Sequence, residues 1–305
     1  MRRPFWTAAV AVLLMAGCGG PGHEAATGTG TEADVPRPLS GALHFSAAEL
    51  TALRDAEEEL VRACMRERGH EYRTAPARDA RRAAAVNPYT LLSPRWSQSD
   101  GYGLTGEALE GPPDDPNADV LAALPDAERD AWQRALLGRQ EDHVRIDLPG
   151  GRRIGYDPHS CVQVARDDVY GEGWSELRYV VEDLSNDAIR RTLASPGFAE
   201  AEADWAACMA GLGYSYTTLE DPRREIVGQL EGARGDPDRT RAVAERELAL
   251  AGDDLACQLE ENTHQRIADV QAAAEEPVRA RAEEQLDRFR QAKRLALDRV
   301  LPSAI

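Results

Sequence analysis

One nine-residue phrase occurs twice in the sequence, and each copy contains a cysteine, the most reactive side chain that the chain offers. In each copy the cysteine precedes a methionine, a glycine follows after three residues, and a tyrosine follows after two more. The two copies are Cys64, Met65, Gly69 and Tyr72, and Cys208, Met209, Gly213 and Tyr216. A cysteine in such a phrase can be a nucleophile, a metal ligand or half of a disulfide.

The number and spacing of the cysteines favour disulfides. The chain has 5 cysteines, and Cys18 stands apart behind an apolar leader. The other four allow three pairings as two disulfides. A four-thiolate zinc site normally needs close Cys-x-x-Cys pairs, and the sequence contains none. Once all four are paired, no thiol remains for catalysis. These four are Cys64, Cys161, Cys208 and Cys257.

The leader indicates export and a lipid anchor. Arg2 and Arg3 precede the apolar residues 5–15, a run shorter than the roughly 20 residues that span a bilayer. Such a segment is typical of a secretory signal. Residues 14–18 resemble a lipobox, in which Cys18 receives the lipid, although Met15 replaces the usual leucine. We therefore expect a signal peptide over 1–17 and a protein on the outer face of the cell membrane. The alternatives are an ordinary cleaved signal and, for the route, twin-arginine export.

Two further groups of residues could bind a metal or act in hydrolysis. His70-Glu71 begins like a zinc-protease helix motif, but Thr74 stands where the second histidine should be. His143 and His159 flank a predicted hairpin and could meet several acids. A solvated or structural role is favoured for both, and we predict no metal and no cofactor.

Two other motifs are also interpreted as having no binding role. Residues 114–119 offer oxygen ligands for calcium but lack the glycine and closing glutamate of an EF-hand loop. Arg234-Gly235-Asp236 spells an adhesion tripeptide that often arises by chance. The sequence has no Gly-x-Ser-x-Gly elbow, no phosphate-binding glycine loop and no histidine–cysteine pair.

The aromatic residues near the repeated phrase favour packing around the disulfides, with an aromatic ligand groove as the alternative. They are Tyr72, Trp205, Tyr214 and Tyr216.

The net charge of -17 repels phosphate backbones, so we expect no nucleic-acid partner. The simplest interpretation of this charge is solubility.

Helices should position both copies of the phrase. Ser46 and Glu49 form a capping box between Phe45 and Leu50, which predicts a helix from Ser46 to about residue 68, ended by Gly69. Ser195-Pro196 starts the second helix. Its apolar stripe ends at Gly213, and we expect that stripe to contain Phe198, Ala201, Trp205, Cys208 and Leu212.

The middle of the chain predicts short elements. A helix is expected over 125–137 with Asp126 as its cap. Strands over 144–148 and 152–156 flank Pro149-Gly150-Gly151 and form a hairpin. Asp157-Pro158 should then open a helix that contains Cys161 and ends at Gly171.

Two long helices should complete the chain. The first begins at Asp236-Pro237 and passes through Cys257. Its predicted apolar positions are Val243, Leu248, Leu255, Leu259 and Ile267. The second extends from 277 to 301, with alternating charges on a solvated face.

These elements predict a mainly α fold of two disulfide-stapled helical units, the first with a loop-rich insert and a small β-hairpin. The predicted divisions are a signal peptide over 1–17, a flexible tether over 18–44, a first unit over 45–192 and a second unit over 193–305. If the units are duplicates, each contains its own bridge, which gives Cys64–Cys161 and Cys208–Cys257.

The ordered features resemble those of uncharacterised secreted proteins and lipoproteins of Streptomyces and related actinobacteria. That family shares the lipobox, helices that end in Cys-Met-x-x-x-Gly, and later cysteines. The matching middle features here are 101–103, 148–151, Cys161 with 169–171, 205–209 and Cys257. The resemblance implies location and architecture, and it implies no activity.

The favoured function is a lipid-anchored binding or interaction module at the cell envelope, with the membrane and an envelope protein as partners. This interpretation makes the protein a non-enzyme. One alternative is an envelope hydrolase with a site in the 73–157 insert, built on His143 and His159. Another is a purely structural or immunity-type lipoprotein.

Overall fold

The computed structural model describes residues 35–77, 80–111 and 114–301. The predictions for the signal peptide and for Cys18 lie outside these residues. The described helices are α1 Pro38–Gly41, α2 Ala47–Glu67, α3 Ala80–Ala85, α4 Pro94–Asp100, α5 Leu104–Glu110, α6 Ala118–Ala123, α7 Asp126–Leu137, α8 Cys161–Tyr170, α9 Trp174–Leu193, α10 Pro196–Gly211, α11 Asp221–Ala233, α12 Pro237–Glu260 and α13 Thr263–Val300.

Helices dominate this part of the chain, and one antiparallel hairpin accompanies them. Strand β1 is Val144–Asp147 and strand β2 is Arg153–Tyr156, paired so that Val144 faces Tyr156. A 3-10 turn over Gln140–Asp142 precedes β1. The mainly α fold with a small hairpin is confirmed.

Both predicted disulfides are present. Cys64 bonds to Cys161 and so joins α2 to α8, with 5.6 Å between the Cα atoms. Cys208 bonds to Cys257 and joins α10 to α12, with 5.7 Å between the Cα atoms. Each bond therefore staples one helix of the repeated phrase to a partner helix in its own unit.

The repeated phrase ends its helix in the same way in both copies. The N–H of His70 donates to the carbonyl of Met65 at 2.9 Å, and Gly69 donates to Arg66 at 3.0 Å. This pair of bonds is a Schellman motif with glycine in the left-handed position, at φ 83°. The second copy repeats it, because Tyr214 donates to Met209 at 3.1 Å and Gly213 donates to Ala210 at 3.0 Å.

Each unit has its own apolar core around its bridge. In the first unit α2, α7 and α8 pack together through Val61, Met65, Trp132, Cys161 and Ala165. In the second unit the core of α10, α11 and α12 also includes residues of the insert. The members that show this are Trp205, Met209, Ile226 and Leu250 from the unit, and Tyr89, Leu91, Leu92 and Tyr102 from the insert.

Helices α9 and α13 form a third core that crosses the predicted boundary at residue 193. Trp174 at the start of α9 stacks on Phe289 of α13 with 4.6 Å between the ring centroids. Val181 of α9 and Val278 of α13 are fully buried in the same cluster. Helix α13 also contacts α2 and α8, so it connects the two units.

The two long C-terminal helices differ from the prediction. Helix α12 ends at Glu260, and Asn262 makes the turn with a left-handed φ of 51°. Helix α13 begins at Thr263 and continues through Pro277, where a new helix was expected to start. The helix deviates later, at Ala282, where φ is -130°. Asparagine accepts the left-handed conformation at little cost, which explains why the break falls at Asn262.

The apolar stripes are also shifted from their predicted positions. In α10, Met209 is fully buried whereas Leu212 is 54% exposed and Cys208 is half-buried. In α12, Leu248 and Leu259 are exposed. The buried face of α12 instead includes Glu247, Asp254 and Gln258, each of which has no exposed surface.

Helix starts in the middle of the chain were predicted slightly wrongly. Helix α7 starts at Asp126 itself, after Pro125, and no side chain caps it. Helix α8 starts at Cys161, and the Ser160 hydroxyl accepts its cap bond from Gln163 N at 3.2 Å. The Ser46–Glu49 capping box of α2 is confirmed.

Residues 35–44, which were predicted to belong to a flexible tether, pack against α13 in the structure. Leu39 is fully buried, and its N–H donates to the Glu275 carboxylate on α13 at 2.8 Å. Gln271 donates to the carbonyl of Arg37 at 2.9 Å. Lys293 lies 4.0 Å from the centroid of the Phe45 ring and donates to the His44 carbonyl. Polar groups of α13 therefore hold a segment whose composition resembles a tether.

Candidate functional site

The insert is docked on the second unit through a polar face of α12. Helices α4 and α5 both contact α12. Three α12 side chains with no exposed surface hydrogen-bond to the insert there, through its backbone or through the Tyr102 hydroxyl, and these are Glu247, Asp254 and Gln258. Buried polar groups cost free energy unless they are hydrogen-bonded, so their partners decide whether this contact is stable.

Glu247 receives the loop that begins with Gly101-Tyr102-Gly103. Its carboxylate accepts the N–H groups of Tyr102, Leu104 and Thr105, each at 2.9 Å. The last two belong to the first turn of α5, where N–H groups have no partner within the helix. A Cβ at Gly101 would lie 2.8 Å from Glu247 Cγ, so only glycine permits this approach.

Asp254 joins the insert to the core of the second unit. It accepts the Tyr102 hydroxyl, the Trp205 indole N–H and the Gln258 amide, each at 2.9 Å. Burial raises the pKa of the Asp254 carboxyl from 3.8 to about 6, although these donors favour the charged form. Trp205, predicted to pack around a disulfide, therefore also anchors this network.

Gln258 and His264 hold the adjoining stretch of the insert. Gln258 accepts the N–H of Leu92 at 2.9 Å, and His264 Nε2 lies 2.9 Å from the Leu92 carbonyl oxygen. Leu91 and Leu92 are thereby buried against the second unit. The insert is a fixed wall of this unit as a result.

A cleft of about 410 Å³ opens between this wall and the start of α11. Gly103 forms part of it, and a Cβ there would lie 3.0 Å from Trp96 Cζ2. The insert contributes Arg82, Asn87, Thr90, Trp96, Tyr102 and Glu107, and the second unit contributes Glu220 and Arg223. Small-molecule sites in proteins have volumes of roughly 300–1,000 Å³, which includes this cleft.

The charged side chains that line the cleft differ in exposure. Arg82 and Arg223 are half-buried, whereas Glu107 and Glu220 are exposed. Arg223 donates to the Tyr102 carbonyl at 3.2 Å and lies 5.9 Å from that ring's centroid. Arg82 forms an ion pair with Glu110 at 3.5 Å. The two arginines of the cleft are thus less exposed than its two glutamates.

One wall of the cleft holds a strained residue. Thr90 has a φ of 57°, and a β-branched residue rarely adopts that left-handed conformation. Its hydroxyl donates to the Tyr89 carbonyl at 2.7 Å. Strained positions cluster at ligand clamps and active sites, where the surrounding structure holds them. Thr90 therefore supports a functional interpretation of this cleft.

The two histidines of the hydrolase alternative lie around Asp157. Asp157 is buried and accepts the N–H groups of Arg139 and His159, each at 2.8 Å. Burial works to raise the pKa of Asp157, but these two donors and the nearby His159 and His143 outweigh it, so its pKa is lowered. His159 is exposed and His143 is half-buried. Asp157 therefore acts as an ionised anchor of the turn, and the described clefts do not include either histidine.

The other predicted candidates have structural roles. His70 completes the helix-ending motif, and the exposed Glu71 pairs with Arg73 at 3.0 Å. Asn117 accepts the N–H of Arg73 at 2.8 Å and donates to its carbonyl at 2.9 Å. Asp236 caps α12. Among the described residues, no three His, Cys, Asp or Glu side chains are grouped closely enough to hold a metal ion.

The aromatic residues of the repeated phrase stack on tryptophans. Tyr72 stacks on Trp132 with 6.0 Å between the centroids, and its hydroxyl donates to Glu58 at 2.9 Å. Tyr216 stacks on Trp205 at 6.5 Å and on Tyr214 at 5.3 Å. These rings pack against the apolar clusters that contain the bridged cysteines.

The residues of the cleft were not predicted from the sequence. Arg82, Trp96 and Arg223 match no motif, and they come from three separate elements. The available signal was the glycine pair at 101 and 103, which marks a close backbone approach.

Comparison with protein-family models, with curated proteins and with solved structures found no match for this chain. Of the helices described, none is both long enough and apolar enough to span a membrane.

Proposed function

We propose that this chain is anchored by a lipid to the outer face of the cell membrane and that its cleft binds a small component of the cell envelope. The observation that supports it best is the position of the cleft beside Pro36 and Arg37, which are among the first described residues. Asn87, a cleft residue, donates to the carbonyl of Pro36 at 2.8 Å. Arg37 donates to the carbonyls of Val86 and Ala84.

This position gives the lipobox a mechanical meaning. Residues 19–34 would connect the lipid on Cys18 to the folded body. Sixteen residues span at most roughly 55 Å when extended, at about 3.4 Å each. The anchor would then keep the cleft close to the membrane surface, where envelope components are concentrated.

Binding suits the cleft better than catalysis because its threonine and serine hydroxyl groups already hydrogen-bond to the backbone. The Thr90 hydroxyl donates to the Tyr89 carbonyl, and the Ser93 hydroxyl accepts from Trp96 N at 3.3 Å as a helix cap. Neither is paired with a general base, which a hydroxyl nucleophile needs. The guanidinium, indole and carboxylate groups that remain are suited to recognition.

Position-specific photo-cross-linking in intact cells tests the binding proposal. A photoreactive side chain at Val86, which is 65% exposed and lines the cleft, should yield a defined adduct. The same group at Leu137, which is 63% exposed and lies on α7 outside the cleft, serves as the control. The same adduct at both positions, or an adduct at neither, would overturn the proposal.

Palmitate labelling tests the anchor separately. Incorporation of radiolabelled palmitate should occur in the natural chain and be lost in Cys18→Ala. Labelling that survives this substitution would refute lipidation at Cys18. It would leave the binding role of the cleft to the cross-linking result.

A further inference from the structure

We infer that the ligand of the cleft is a zwitterion, a short peptide with a free ammonium group and a free carboxylate. This inference rests on the proposed function and assigns the chemistry of the same site. The juxtaposition that supports it is a pair of half-buried arginines and a pair of exposed glutamates that line the same cleft.

The guanidinium groups of Arg82 and Arg223 favour a ligand that has a carboxylate. Arg223 uses one nitrogen for the Tyr102 carbonyl, and a guanidinium has five N–H donors in a planar fork. Arg82 lies close to the backbone at Gly103 and Gly106, since a Cβ at Gly106 would lie 3.4 Å from Arg82 Nη2. Guanidinium–carboxylate hydrogen bonds are charge-assisted and can be bidentate.

The carboxylates of Glu107 and Glu220 disfavour a ligand that is only an anion and favour one that also has an ammonium group. Glu220 and Arg223 are three residues apart at the start of α11, a spacing that places side chains on one helix face. A ligand carboxylate at Arg223 therefore has a cationic end within reach of Glu220 or Glu107. The chain's net charge of -17 further disfavours a multiply charged anion.

The remaining walls suit a peptide body. Trp96 presents its indole to the cleft, and Arg81 lies 5.5 Å from that ring's centroid on the exposed surface. An indole face packs against methyl and methylene groups. A volume of about 410 Å³ accommodates a few small residues. The charges and the apolar wall together fit a di- or tripeptide with unblocked ends.

Isothermal titration calorimetry on the full-length protein in detergent micelles tests this ligand class. The probes are trialanine, its C-terminal amide and its N-acetyl derivative. Trialanine should bind, and each blocked probe should bind more weakly by about tenfold, the cost of one charge-assisted contact. Equal binding of trialanine and the N-acetyl probe would overturn the zwitterion in favour of a plain carboxylate.

Charge-removing variants connect the two selections to particular residues. Arg223→Gln should remove the preference over the amide, and Glu220→Gln should remove the preference over the N-acetyl probe. Arg95→Gln, an exposed position on α4 outside the cleft, should retain both preferences. Because Arg223 also bonds to Tyr102, thermal unfolding should verify its folding; Glu220 is exposed and provides the test if Arg223→Gln does not fold.

The two proposals fail in different ways. No binding of any probe, with a Val86-specific adduct in cells, would overturn the peptide ligand and leave the cleft as a binding site. Loss of the Val86-specific adduct together with no binding would overturn both. Unchanged preferences in Glu220→Gln and Glu107→Gln would also overturn the zwitterion.

Discussion

The carboxylate of Glu202 accepts the backbone N–H of Leu219 at 2.9 Å. Glu58 accepts the N–H of Ala75, also at 2.9 Å. Each glutamate lies six residues before the cysteine of its phrase, and each N–H lies eleven residues after that cysteine. The two units therefore share a carboxylate contact as well as a disulfide and a helix end.

This contact holds the chain as it leaves the phrase. The helix ends at glycine, the chain reverses, and the glutamate side chain fixes the extended residues against its own helix. The shared pattern now includes Glu, Cys, Met, Gly, Tyr and a loop N–H at equal spacing. Such agreement at several levels supports the interpretation of the two units as duplicates.

The Glu58 contact should contribute measurably to stability. Glu58→Ala would leave the Ala75 N–H and the Tyr72 hydroxyl without their acceptor, at a cost of about 1–3 kcal/mol in the free energy of unfolding. Denaturant titration measures this loss. Glu59→Ala is the control, since Glu59 is 57% exposed and pairs only with Arg62, so its loss should be under about 1 kcal/mol. Equal losses in the two variants would contradict a role for the contact.

Much of the fold could be predicted from local patterns. The Ser46–Glu49 capping box and the glycines at 69 and 213 are local backbone devices, so the sequence placed these helix ends correctly. The disulfide pairing was predicted on the assumption that the two units are duplicates. Leu212 was misplaced because periodicity alone does not distinguish neighbouring helix faces when the helix is rich in alanine.

The loop contacts could not be predicted, since buried carboxylates resemble solvated ones in sequence. Within the described part of the chain, four helix carboxylates that are less than 5% exposed each accept a backbone N–H from another segment, and they are Glu58, Asp183, Glu247 and Glu275. Their partners are distant, as with Tyr102 and Glu247, which are 145 residues apart. The acidic composition therefore has a structural share beyond the solubility that the sequence indicated.

The two disulfides should differ in their contribution to stability. Cys64–Cys161 closes a separation of 97 residues and Cys208–Cys257 one of 49. Loop-closure entropy predicts losses of about 4.7 and about 4 kcal/mol when each pair is replaced by alanine. Denaturant unfolding of the two double variants measures both losses. A larger loss in the second pair would show that strain or packing outweighs loop entropy.

The pH dependence of stability should include a contribution from Asp254. Its pKa is about 6 in the folded protein and 3.8 ordinarily, so folding takes up a proton between these pH values. The stabilising contribution is complete below about pH 4 and is lost as pH rises through 6, with a difference of about 3 kcal/mol. Asp254→Asn should lack this loss, which unfolding experiments from pH 4 to 8 would measure.

Asp253→Asn on the same helix is the control for this prediction. Asp253 is half-buried and accepts the Tyr214 hydroxyl, so the substitution makes a similar change without touching the buried network. Its pH profile should follow that of the natural chain. If Asp254→Asn retained the full decrease between pH 4 and 6, another group would be responsible.

The Glu247 contact should control the local opening of the cleft wall. Glu247→Gln replaces one carboxylate oxygen by an NH2 donor. At least one of the three N–H groups that Glu247 accepts, those of Tyr102, Leu104 and Thr105, would then face a donor. We expect a loss of about 1–3 kcal/mol in the free energy of opening of this segment. Hydrogen–deuterium exchange with peptide resolution measures it as faster exchange over 102–105.

The position of the change distinguishes this local effect from general destabilisation. Exchange in the first unit, around the Cys64–Cys161 bridge, should stay unchanged because Glu247 has no contact there. Glu245→Gln is the matched control, since Glu245 is exposed on the same helix. Faster exchange throughout the chain would mean that Glu247 supports the whole fold. Unchanged exchange over 102–105 would mean that apolar packing of Leu91, Leu92 and Tyr102 suffices to hold the insert, and the carboxylate would then have no role in shaping the cleft.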